Sequence, residues 1–233
     1  MKGRKLAISI VIALVALGLI AFAGTTLYGQ LNPTEKALAA LRDTPLIGPA
    51  IADHPDMKER LREAIRQELS EPTTSGPSRP MQVVGELRRE VIVPALLKAD
   101  DASVIAAMAA RVELVRHLQK ANPPACREFS MGGIARPDQL DAEGQRLFRN
   151  MLVTTEAAYR AGRGGTTQST PSREQISDML RHAGFTKPDF DKLDNFVTLS
   201  NDVSCEMELK VDSAPPLLPA DEQGPFSRFF VAR

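Results

Sequence analysis

The chain reads as an all-α protein, and three observations predict it. Apolar residues recur at spacings of three and four along most of its 233 residues. No stretch sustains period-two alternation for more than a few residues. Asp, Ser and Pro sit where such seams begin, as helix starts require. The predicted architecture is an N-terminal transmembrane or signal segment over 1–29, an irregular bundle of about six helices over 30–211, and a Pro/Phe-rich tail over 212–233. No internal period marks a helical-repeat array. The seams last only two or three turns between proline and glycine breaks, which removes a long coiled coil.

The first element is apolar. Lys2, Arg4 and Lys5 precede an uncharged run from Leu6 to Ala23. Those 18 residues make a helix about 27 Å long, against roughly 30 Å of bilayer hydrocarbon. Tyr28 falls at interface depth. A cleaved signal peptide is the competing reading, because Ala21-Phe22-Ala23 fits a small-x-small cleavage site. The run is long for a cleaved peptide, so the anchor is favoured. Both readings keep the basic residues in the cytoplasm and export everything from about Gln30. The expected location is the inner membrane, single-pass with the domain in the periplasm; the alternative is a secreted or periplasmic product.

The helices follow in order. Pro33 or Thr34 opens a short one through Arg42, and Thr44–Pro49 is a turn-rich connector. His54-Pro55-Asp56 starts a helix with Met57, Leu61, Ile65 and Leu69 on its inner face, proline suiting the first helical position. Glu71–Pro80 is a loop. A helix from about Met81 to Ala99 should kink at Pro94. Asp100-Asp101 caps the next helix, whose seam is Val104, Met108, Val112, Val115 and Leu118, until Asn122-Pro123-Pro124 ends it. Cys126 and Phe129 lie in a short segment, and Met131-Gly132-Gly133 turns the chain. Asp138 or Asp141 opens a long helix to about Ala161. After a loop over 164–171, Ser172–Gln175 reads as a capping box for a helix through Ala183. Pro188 opens the last long helix, with Phe190, Leu193, Val197, Val203 and Met207 inward. From Asp212 the prolines 215, 216, 219 and 225 predict an extended tail.

Composition removes several function classes. Basic and acidic residues balance at 29 each, and without Lys2, Arg4 and Lys5 the remainder holds 26 against 29, a net −3. A mildly acidic exported domain lacks the basic patch that nucleic acid requires. With no Trp and two Tyr, a sugar-stacking groove is disfavoured. The two cysteines, Cys126 and Cys205, both fall in the exported part, where an oxidising compartment is expected to join them. The competing readings are two buried free thiols or half of a metal site, the latter disfavoured because no Cys or His lies at ligand spacing. With no Cys-x-x-Cys pair the bond is structural.

Chemistry could reside on the histidines. Glu174, Asp178 and His182 stripe one helix face and are the candidate catalytic set, the groups that acid–base work uses. Their bland alternative is a solvated face. Glu113 and His117, four apart, are weak candidate metal ligands, against an ordinary surface pair. His54 precedes a helix and reads as a cap or surface group. No nucleophile elbow, zinc-protease pair, phosphate loop or dinucleotide fingerprint is present, so no cofactor is expected. Phe226, Phe229 and Phe230 are costly to leave in water; they either fold back onto the bundle or dock on a partner. Two functions follow. The favoured one is a membrane-tethered interaction or accessory module of the cell envelope, with an envelope protein as partner. The alternative is a periplasmic metal-binding protein or hydrolase with a His/carboxylate site.

Overall fold

The computed structural model describes residues 32–134 and 136–232, so the N-terminal segment read over 1–29 lies outside the described residues. Among the described residues there are helices and no strand, and no helix is long and apolar enough to cross a membrane. They form two compact units, the first ending at Ile92 and the second covering Val93–Arg233.

The first unit holds α1 (Pro33–Arg42), α2 (Ile47–Asp53), α3 (Pro55–Ser70), α4 (Arg79–Leu87) and a π turn over Arg88–Ile92. Its core is Leu38, Ala50, Ile51, Met57, Leu61, Ile65, Leu87 and Ile92. Asn32 caps α1 by accepting from the Glu35 N–H at 2.9 Å. Helix α2 replaces half of the connector expected over Thr44–Pro49. Its proline, Pro49, lies in the first turn, where a missing N–H costs no helical bond. Gly48 makes the preceding turn possible, because a Cβ there would overlap the carbonyl oxygen of Arg42. Leu69, expected on the inner face of α3, is 44% exposed, and the buried position beside it is Glu68. The Glu68 carboxylate accepts from the Thr73 N–H and hydroxyl, each at 2.7 Å, and from the Arg79 N–H at 3.0 Å. It therefore ties the α3–α4 loop to both flanking helices. Burial opposes its charge, yet these donors hold its pKa below the ordinary range.

The expected Pro94 kink takes the form of the π turn just before it, followed by a single turn, α5 (Val93–Leu96). Proline has no N–H to extend the ladder, and an inserted residue absorbs the defect. The helix stops at Leu96 instead of Ala99.

The second unit is built around α6 (Asp101–Ala121), against which α7 (Pro123–Ser130), α8 (Ala142–Arg163), α11 (Asn201–Asp212) and α12 (Ala220–Ala232) all pack. Asp100 caps α6 through the Ser103 N–H at 2.8 Å. Asn122 ends α6 and caps α7, accepting from the Ala125 N–H at 3.2 Å. Asp141 opens α8 through the Gly144 N–H at 2.7 Å. The capping box at Ser172 and Gln175 is formed and starts α9 (Arg173–His182). Helix α8 lies close on α5 because residue 162 is glycine: a Cβ there would overlap the carbonyl oxygen of Ala95.

Two expectations are corrected in this unit. The last long helix is three elements: α10 (Lys187–Asp194), a 3-10 turn over Phe196–Thr198, and α11. Asn195 and Ser200 break it, since both compete for nearby backbone. Asn195 Nδ2 donates to the Asp191 carbonyl at 2.8 Å, and Ser200 caps α11 by accepting from the Val203 N–H. Val197, expected inward, is 64% exposed on the turn so created. The extended tail is instead a 3-10 turn over Pro215–Leu217 and then α12, with Pro225 inside the helix. Acidic Asp221 and Glu222 fit its first turn, and burial of Phe226 and Phe230, four apart, outweighs the bond lost at Pro225. With these divisions the helices are more numerous and shorter than the six expected.

Candidate functional site

The stripes singled out in the sequence do not converge. Glu174 accepts from its own cap residue, the Ser172 hydroxyl, at 2.9 Å. Asp178 pairs with Arg181 one turn on. His182 faces away to Glu222 of α12, Nδ1 to Oε2 at 3.0 Å. Three groups on one helix face therefore take three different partners. Glu113 pairs with Arg116, while His117 Nε2 meets Asp141 at 2.8 Å. That histidine joins α6 to the cap of α8. Among the described residues no three Asp, Glu, His or Cys side chains gather in a way that could hold a metal ion.

Cys126 of α7 and Cys205 of α11 are joined, with their Cα atoms 5.6 Å apart across 79 residues of sequence. Both are fully buried, among Leu114, Leu118, Phe129 and Leu147. Arg127, next to the bond, donates to the carbonyls of Val197 and Leu199 and to the Ser204 hydroxyl, the last at 2.8 Å. One side chain thus gathers the loop between α10 and α11 onto α7.

The phenylalanines of the last helix point inward. Phe226 is 0% and Phe230 9% exposed, their rings 4.6 Å apart, while Phe229 is half-buried against Phe230 at 5.2 Å. They share a core with Met108, Ile176, Leu180, Met207 and Leu218. Arg228, expected to face solvent or a carboxylate, is buried and donates Nε to the Ala99 carbonyl at 3.0 Å and Nη2 to Asp101. Gly224 lets α12 reach this point, since a Cβ there would overlap the Asp101 carboxylate.

The charged cluster that sequence reasoning missed lies between α6 and α11. Arg111 Nε donates to Asp212 Oδ2 at 2.9 Å, its Nη2 donates to Glu208, and the guanidinium lies 4.6 Å from the Phe129 ring centre. Two carboxylates outweigh the desolvation of Arg111 and hold its pKa above the ordinary value. A signal was present. Val104, Met108, Arg111, Val115 and Leu118 run at spacings of four, three, four and three, so Arg111, not Val112, fills the central inward position. Cys205, Glu208 and Asp212 repeat the pattern on α11. A charge in the middle of an apolar seam needs a buried partner.

The first unit has an open groove of about 650 Å³ between α3 and α4. Glu59, Glu63 and Glu86 alternate with Arg60 and Arg79 on its walls, and Gln82 and Val83 lie along it. An Arg60–Glu86 ion pair crosses it. Enclosed, mostly apolar clefts hold small molecules; this surface is charged and open. Comparison of the chain with protein-family models, with curated proteins and with solved structures finds no match.

Proposed function

We propose that the chain is a membrane-tethered interaction module of the cell envelope, exported through its basic–apolar N-terminus. The observation that carries this reading is the Cys126–Cys205 bond. A buried disulfide over a long loop belongs to an oxidising compartment, and Lys2, Arg4 and Lys5 before Leu6–Ala23 supply the route there. The docking surface is the α3–α4 groove rather than the last helix. Phe226 and Phe230 are committed to the core, so they have nothing to offer a partner while α12 is seated. The alternating charges of Glu59, Arg60, Glu63, Arg79 and Glu86 suit a polar polypeptide segment of another envelope protein, which can match both signs along its length.

Two measurements test the proposal. In spheroplasts the chain should sediment with the membrane, be cut by external protease, and show cysteines that resist alkylation until reduced. Protection from protease with two free thiols overturns export. A photo-crosslinking residue at Gln82 should then capture a defined envelope protein that the same residue at Lys187 does not. Equal capture from both positions, or none from Gln82, overturns the groove as the docking surface.

A further inference from the structure

We infer that the Arg111–Glu208–Asp212 cluster is a proton-binding site, taking up one proton on Asp212 and making the second unit's stability depend on pH. This goes beyond the interaction reading and does not depend on it. The geometry sets the charge balance. One guanidinium serves two carboxylates, leaving an excess negative charge inside the unit. The Asp212 side chain is 0% exposed, against 13% for Glu208 and 22% for Arg111. Asp212 Oδ1 has no hydrogen-bond partner among the described residues. A fully buried carboxylate with one oxygen unserved is an unstable resting place for charge. Protonation leaves a neutral Arg111–Glu208 pair and an uncharged Asp212. The proton goes to Asp212 because Glu208 still has solvent contact and Asp212 has none.

Among the described residues, the helices packed against α11 supply no further charge to balance it. Helices α6, α7 and α10 pack against α11. Helix α6 presents Arg111 itself. Arg127 of α7 is committed to the carbonyls of residues 197 and 199 and to Ser204. Asp189 of α10 is paired with Lys210 of α11, Nζ to Oδ2 at 2.8 Å. Arg228 of α12 is held by Ala99 and Asp101. The charges that act on Asp212 are those of Arg111 and Glu208. Burial pushes its carboxyl up to about 7, Glu208 adds to the rise, and Arg111 opposes it.

The sign follows by linkage. The folded carboxyl titrates above the ordinary unfolded value of 3.8, so the folded state binds the extra proton between those two pH values. The resulting stabilisation is complete below about pH 4 and is lost as pH rises through about 7. Asp212 ends α11 and precedes the turn into α12, so this is also where packing loosens as the carboxylate ionises.

The test uses the full chain in detergent. Between pH 5 and 7 the unfolding equilibrium constant should rise up to tenfold per pH unit through this group. Asp212→Asn should remove that slope and should melt higher than the parent at pH 8. Glu208→Gln should move the titration midpoint downward, because the neighbouring negative charge is gone. Should Asp212→Asn fail to fold, infrared spectroscopy of the parent decides. A protonated-carboxyl band present at pH 6 and gone at pH 9 supports the site, and its absence at pH 6 overturns it. An Asp212→Asn variant that folds and keeps the parental slope overturns it equally.

Discussion

Phe226→Ala should unfold the second unit more readily than any other single truncation in the last helix, while Phe229→Ala should be mild. The Phe226 ring has no exposed surface and lies 4.6 Å from the Phe230 ring, in a core that draws on α6, α9, α11 and α12. Truncating a fully buried phenylalanine costs roughly 3–5 kcal/mol when the site cannot collapse. The stacked Phe230 adds about 0.5–1.5 kcal/mol to what is lost. Collapse is blocked on the α6 side, where Gly224 and Arg228 already hold α12 against Asp101 and Ala99. A total near 4 kcal/mol is a large part of a typical domain's stability of roughly 5–15 kcal/mol. It lowers Tm by about 8–16 °C at 2–4 °C per kcal/mol. Phe229, half-buried and touching Phe230 by its edge, should cost about 1–2 kcal/mol. Urea unfolding followed by circular dichroism, with an unchanged denaturant slope, measures both. A loss below about 1 kcal/mol for Phe226→Ala, paired with loss of a crosslinked partner, would refute the internal role and restore the docking one.

Three further perturbations have defined outcomes. Replacing Cys126 and Cys205 together by Ala should cost about 4.5 kcal/mol on the chain-entropy estimate for a loop of this length, read as a lowered urea midpoint that reductant reproduces in the parent. Gly162→Ala should destabilise by about 3 kcal/mol or more, at the top of the overpacking range, because the new methyl meets Ala95 backbone and lies 3.0 Å from the Ala99 nitrogen; a melting temperature within 2 °C of the parent would contradict the close approach of α8 to α5. Ser227→Ala should be neutral or stabilising by about 1 kcal/mol, since the hydroxyl is buried with no partner among the described residues, and a marked loss of stability would reveal a bond the hydroxyl makes.

Local signals in the sequence carried well. Asp100, Asp141 and Ser172 act as caps because a side chain accepting an N–H three residues on needs nothing from the rest of the fold. The seam of Met57, Leu61 and Ile65 is inward for the same kind of reason: its period alone selects a face. The failures lie where tertiary packing overrules a local signal. Pro225 argues against helix, yet α12 gains burial of Phe226 and Phe230. The break of the last helix at Asn195 and Ser200 went the other way, with local side-chain competition winning over an apparently continuous seam. Of the candidate site residues, the histidine and carboxylate stripes were found by spacing along one helix. Spacing cannot say that His182 will turn to Glu222, 40 residues away, or that Arg111 and Asp212 will meet across 101.

The meeting of Arg111 and Asp212 bears on what the second unit is built to do. Its central helix buries Val104, Met108, Leu114, Val115 and Leu118 and sets Arg111 among them. Filling the places of Arg111, Glu208 and Asp212 together with apolar residues would serve stability at least as well, because buried ion clusters seldom outperform apolar packing of the same volume. An arrangement that buries two carboxylates against one guanidinium, and leaves an oxygen without a partner, is therefore poor as a staple. The unit already has one staple in the Cys126–Cys205 bond, which joins α7 to the same helix α11. What the cluster adds is a charge state that responds to protons, which neither the disulfide nor the phenylalanine core can supply. That response is the property a buried Asp212 provides and an apolar residue would remove.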